Sequence, residues 1–126
     1  MDHSSSPAAA RAEVIAAAID RWQFHYSNEW ELQAGVAKVL ADLEILFRRE
    51  VTLGPKQRID FLLPDDKIGI EVKVDMSLAG VTRQLWHYAD SPQIEALILV
   101  TTRNTHRGLP EEMKGKPLFV VYLLSL

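Results

Sequence analysis

The stretch RIDFLLPDDKIGIEVKV, residues 58–74, sets the pairing of two strands. Two apolar runs flank the polar segment Pro64-Asp65-Asp66-Lys67, so the stretch reads as two strands of a hairpin joined by a tight turn. Asp60, Glu71 and Lys73 nevertheless interrupt the runs. With Asp65 and Asp66 at the centre of the turn, the register sets Leu63 against Ile68, Phe61 against Ile70 and Asp60 against Glu71. Side chains of a directly opposed pair share a face about 5 Å apart. The period of two puts Lys73 on that face as well. The other face then collects Ile59, Phe61, Leu63, Ile68, Ile70, Val72 and Val74. A slip of one residue would bury the charges and expose the apolar set.

Two carboxylates side by side raise each other's pKa unless a cation lies between them. A hard divalent ion meets that need, because Mg²⁺ takes one or two carboxylates and keeps several waters. A lysine beside such an ion can place or deprotonate a water, or steady a phosphate. The competing reading is structural: a solvent-facing side of an antiparallel hairpin carrying an Asp–Lys or Glu–Lys ladder.

Working outward, an Ala-rich segment with Val14, Ile15, Ala18, Ile19 and Trp22 at helical spacing predicts a helix over about 8–23. A second helix is expected from Asn28 to about residue 43, with Leu32, Val36, Val39, Leu40 and Leu43 on one stripe. Strands are predicted over 44–53, 57–63 and 68–75. Ser77 can cap a third helix whose inward face is Leu78, Val81, Leu85 and Tyr88. IEALILVTT reads as a strand covered on both faces. Residues 103–116 read as a loop with a short helical turn at 110–114, and PLFVVYLLSL as a last strand. The order α-α-β-β-β-α-β-β predicts an α/β fold, a mixed central sheet flanked by helices. Residues 1–7 read as a flexible tail and 8–126 as a single domain.

Hydrophobic residues make up 48% and charged residues 25% of the 126, an ordinary globular balance. Absence of cysteine excludes disulfides and thiolate metal sites. No apolar run reaches the roughly 20 residues that span a bilayer, and no basic region precedes VIAAAI as in a signal peptide, so a cytoplasmic location is expected. A net charge of −3 argues against holding nucleic acid by bulk electrostatics, though not against meeting phosphate through a bound cation. The histidines show no metal-ligand spacing, and neither a phosphate-cradling glycine loop nor a serine-nucleophile motif is present.

Asp60 followed by Glu71-Val72-Lys73 resembles the D…(D/E)-x-K signature of the PD-(D/E)XK nuclease superfamily, and the helix-strand-strand-strand-helix-strand order of residues 28–102 is similar to its core. The proline that gives the signature its name is missing here, since Arg58-Ile59 precede Asp60. QLWHY, residues 84–88, resembles the Q-L-x-x-Y element of RecB-type nucleases. NEWELQ, residues 28–33, is similar to the opening of VRR-type nuclease domains, where a helix glutamate reaches the metal. Glu29 lies at the edge of the inward stripe and is the candidate; Glu31 is the alternative, with a structural task open to it as the third residue after an Asn28 cap.

The resemblance implies a restriction-endonuclease-like core and a Mg²⁺- or Mn²⁺-dependent nuclease, of the kind seen in minimal junction-resolvase domains. Asp60 and Glu71 would hold the metal with the Val72 carbonyl and Glu29. Lys73 would activate water and Gln84 would steady the lysine or the phosphate. Arg58, Lys56, Arg103, Arg107 and Tyr88 are the candidate nucleic-acid contacts. DNA is the expected partner, with RNA left open, and a homodimer or a partner-dependent repair exonuclease fits so small a core. A nuclease-fold module that binds nucleic acid without cutting it is the alternative from another class.

Overall fold

The computed structural model describes residues 6–123. Ser6 accepts a hydrogen bond from the Ala9 N–H at 3.0 Å and Pro7 opens the helix behind it, a pairing suited to an N-terminus. These two residues belong to α1 (Pro7–Arg21) and not to a tail; the rest of the expected tail lies outside the described residues. The inward side of α1 is Ala8, Ala9, Ala12, Ile15, Ala16 and Ile19, whereas Val14 and Trp22 face outward. Asn28 caps α2 (Glu29–Asp42), whose buried residues include Leu32, Val36, Val39 and Leu40. Leu43, the C-cap, is exposed.

Glu44 then turns left-handed at φ 58 and the Ile45 N–H reaches back to the Leu40 carbonyl, so β1 (Arg48–Gly54) starts four residues later than the pattern suggested. β2 (Gln57–Leu63), β3 (Ile68–Lys73), α3 (Leu78–Tyr88) and β4 (Ala96–Thr101) follow. A 3-10 turn occupies Asn104–Gly108. The helical turn expected at 110–114 is absent: Glu112–Met113 form a short strand, β5, against β6 (Lys116–Tyr122). The last three residues of the expected final strand lie outside the described residues.

The six strands form one mixed sheet in the order β1-β2-β3-β4-β6-β5. β1, β2 and β3 run antiparallel, whereas β3, β4 and β6 are parallel. The chain is therefore α/β, with three helices flanking a mixed sheet. No helix of the described residues is long and apolar enough to cross a membrane.

Both faces of the sheet are covered. α1 and α2 lie over Phe61, Leu63, Ile68, Ile70 and Val72, and α3 lays Val81, Leu85 and Tyr88 over Ile59, Leu62, Leu97 and Leu99. The β2–β3 register is the expected one, with Phe61 opposite Ile70 and Leu63 opposite Ile68. Ile59, however, belongs to the α3 side and not with Phe61, so alternation breaks at Asp60. Opposite that residue on β1, between the pairs Arg49–Phe61 and Val51–Ile59, Glu50 is left-handed at φ 52. The left-handed residue on β1 and the break in alternation on β2 thus coincide at the acid.

Gly69 shows how closely α3's side is packed. A Cβ there would lie 2.4 Å from Ile59 Cδ1 and 2.8 Å from Ile94 Cδ1. Gly69→Ala is expected to cost about 1–3 kcal/mol, read as a lower urea midpoint at unchanged m-value.

Candidate active site

Ladder pairing of β2 with β3 ends at Phe61–Ile70, and beyond it the strands part. Two carboxylates fill the gap. The Asp60 N–H donates to Glu71 Oε1 at 3.0 Å, and the Val72 N–H donates to Asp60 Oδ2 at 2.8 Å. Each acid thus satisfies a backbone donor that the ladder has released. A strand residue turns its N–H and C=O toward the same neighbour, so the Val72 carbonyl also faces this fork.

Glu71 is only 1% exposed. Its Oε2 stands 3.2 Å from Lys73 Nζ and accepts from the Tyr88 hydroxyl at 3.1 Å. Burial, reinforced by the charge of Asp60, pushes the Glu71 carboxyl up to about 8. Burial also raises Asp60, outweighing the Val72 N–H and the Lys73 charge. For Lys73, burial alone would lower the pKa, but the attraction of Glu71, then of Glu29 and Asp60, prevails and raises it.

Glu29 enters from the first turn of α2 and accepts the Val74 N–H at 3.1 Å. Its charge bears on both Asp60 and Lys73. Glu31 points elsewhere: its N–H donates to Asn28 Oδ1 at 2.8 Å, and its Oε1 accepts the Ser27 N–H at 2.7 Å. That reciprocal arrangement is a capping box displaced by one residue. Glu31→Ala is therefore expected to cost about 0.5–2 kcal/mol of stability with the site unchanged.

Tyr88, expected to contact nucleic acid, is fully buried and cannot do so. Its hydroxyl spans Glu71 Oε2 and the Arg58 carbonyl, the latter at 2.8 Å. One hydroxyl proton cannot fully serve two acceptors. A tyrosine at the inward end of an amphipathic helix needs a buried acceptor, and that was the available sequence cue. Gln84 lies beside the Tyr88 hydroxyl, and its own Oε1 is buried without a hydrogen-bond partner.

In the sequence His106 reads, with Arg103 and Arg107, as a candidate phosphate contact, and its burial rules that out. Placed by the pattern in a polar loop, it is fully buried, with Nε2 donating to the Met76 carbonyl at 2.8 Å and Nδ1 2.7 Å from Thr101 Oγ1. It ties the 3-10 turn to the segment after β3, close to Lys73, which pairs with Thr101. Arg103 and Arg107 lie at this same strand end. The first pairs with Asp75 at 3.4 Å and the second stacks on Tyr122 at 4.2 Å. Lys56 and Arg58 are exposed on the β1–β2 turn and on β2.

No family model matches the chain, nor does any curated protein or solved structure. What the site can do follows from its geometry. Among the described residues no group of three or more His, Cys, Asp or Glu side chains is gathered as a ready-made metal cage. The donors still suit a hard cation: the negative charge of Asp60 weighs on Glu71, that of Glu29 weighs on Asp60, and Gln84 Oε1 is an orphan. Mg²⁺ needs no more than one or two carboxylates with water and substrate oxygens completing its shell.

Proposed function

We propose that the chain is a metal-dependent nuclease of the PD-(D/E)XK type that hydrolyses phosphodiester bonds in DNA. The observation that carries this reading is the convergence of Asp60, Glu71 and Lys73 at a fork between two strands, with Glu29 of a separate helix holding the Val74 N–H just past Lys73. Asp60 and Glu71 would hold Mg²⁺ or Mn²⁺, with Glu29 and the Val72 carbonyl as the further oxygens. A bound divalent ion supplies Lewis-acid stabilisation of negative charge on the phosphate.

The chain's own residues do the rest. Lys73, held by Glu71, presents an ammonium group that orients the attacking water and balances the charge gathering on phosphorus oxygens. Tyr88 fixes the Glu71 carboxylate from behind, since its pKa is raised by burial and by Glu71 and the hydroxyl stays a donor. Gln84 steadies Lys73 or the phosphate. In the reaction the water oxygen bonds to phosphorus and releases a proton to solvent, the bond to the 3′ oxygen breaks, and that oxygen takes a proton from solvent.

A second reading has its own observation: both Glu71 oxygens already have protein donors, so the network could be a closed structural one. The experiment that separates them is incubation with labelled single-strand, duplex, flap and four-way-junction DNA. The nuclease cuts at least one with Mg²⁺ or Mn²⁺ and stops in EDTA; the structural network cuts none. Glu29→Gln is expected to lower the cutting rate by about 10–100-fold, the usual cost of disturbing a supporting ligand, whereas Glu31→Gln leaves it unchanged. Equal losses in the two variants would remove Glu29 from the site.

A further inference from the structure

Ion pairs occupy Arg11, Lys38, Lys67, Lys73, Arg103 and Lys114. Lys56 and Arg83 are in none of these, and both are exposed. They come together at a hollow of about 220 Å³ between the β1–β2 turn and α3. Its walls include Lys56, Gly80, Arg83, Gln84, His87 and Tyr88, and no acidic residue lines it. In a chain of net charge −3 that is a marked local excess of positive charge.

The helix explains the grouping. Gly80, Arg83, Gln84, His87 and Tyr88 recur at three- and four-residue spacing, one face of α3. Gly80 lies in the first turn after the Ser77 cap, where the helix dipole is positive. Lys56 closes the hollow from the opposite wall, held there by a left-handed turn at φ 59. The hollow borders the site, because Tyr88, one of its lining residues, bonds Glu71 through its hydroxyl.

We propose that this hollow binds a phosphate group of the substrate strand other than the one that is cut. The strand's identity rests on the nuclease reading; the phosphate chemistry rests on the hollow. Arg83 offers a planar fork of N–H donors, Lys56 a compact charge and His87 a ring N–H, a set suited to tetrahedral oxyanions. Such a contact positions the strand without reading its bases. The group is either a terminal phosphate or an internal phosphodiester.

Inorganic phosphate titrated into the full chain in EDTA tests the chemistry apart from any cutting. The expected result is saturable NMR shifts at the His87 ring and the Gln84 side-chain amide, with binding about tenfold weaker in Arg83→Ala and in Lys56→Ala. Both side chains are exposed, and thermal unfolding checks that the variants fold. Shifts that are absent, or equal in wild type and variants, overturn the site. Oligonucleotides with and without a terminal phosphate then separate the sources. A gain from the terminal phosphate that Arg83→Ala abolishes assigns the end group; an equal loss with both oligonucleotides assigns the internal one. If the wild type cuts DNA while phosphate leaves the hollow untouched, this inference falls and the nuclease stands. If nothing is cut while phosphate binds, the nuclease falls and the anion site stands.

Discussion

Glu71→Gln is expected to abolish metal-dependent cutting and, in the same protein, to flatten the dependence of stability on pH. Loss of a metal carboxylate removes several kcal/mol of transition-state stabilisation, roughly 10³-fold or more in rate. The stability effect has a separate origin. The Glu71 carboxyl is pushed from 4.5 to about 8 by burial and by the neighbouring Asp60. A group whose proton affinity is raised by folding contributes stability that is complete below its unfolded pKa and is lost as pH rises through its folded one. Metal-free wild type should therefore lose stability between about pH 5 and pH 9, on the order of a few kcal/mol. The raised pKa of Asp60 acts in the same direction. The glutamine keeps a carbonyl for the Asp60 N–H and carries no charge to bury, so its melting temperature should stay nearly level across that range. Thermal unfolding in EDTA at a series of pH values makes the comparison. Parallel slopes in the two proteins would remove Glu71 as the titrating group.

Lys73→Met gives the second large effect. Methionine keeps the apolar stem and loses the ammonium group, so the fold is retained while the charge beside Glu71 disappears. Single-turnover cutting should fall by about 10²–10⁴-fold, with Mn²⁺ affinity changed far less. A variant that cuts as fast as wild type would show that the lysine only neutralises its glutamate. Tyr88→Phe should have a smaller effect on rate. It frees one side of Glu71 and leaves the Arg58 carbonyl without its donor.

Much of this site can be read from the order of residues. The hairpin register follows from one turn and two apolar runs, and it puts Asp60 beside Glu71 as found. The capping role of Glu31 follows from the Asn28 cap, because a glutamate at the third helical position is taken up by backbone donors. Other features depend on contacts that no local pattern specifies. Alternation predicts Ile59 beside Phe61, yet opposite the left-handed Glu50 the alternation breaks and Ile59 joins the other face. The pattern also leaves open whether the charged face meets water; only the docking of α3 buries Glu71 and raises its pKa. His106 is the extreme case: a histidine in a polar, glycine-punctuated segment becomes a core residue because two partners distant in sequence or hidden at a strand end accept it.

Calorimetric titration with Mn²⁺ shows whether Asp60 and Glu71 hold a divalent ion at the fork. Wild type at pH 8 should bind Mn²⁺ at one site, release protons as Glu71 ionises, and lose that site in Asp60→Asn. Absence of binding, or binding that Asp60→Asn leaves intact, would contradict it.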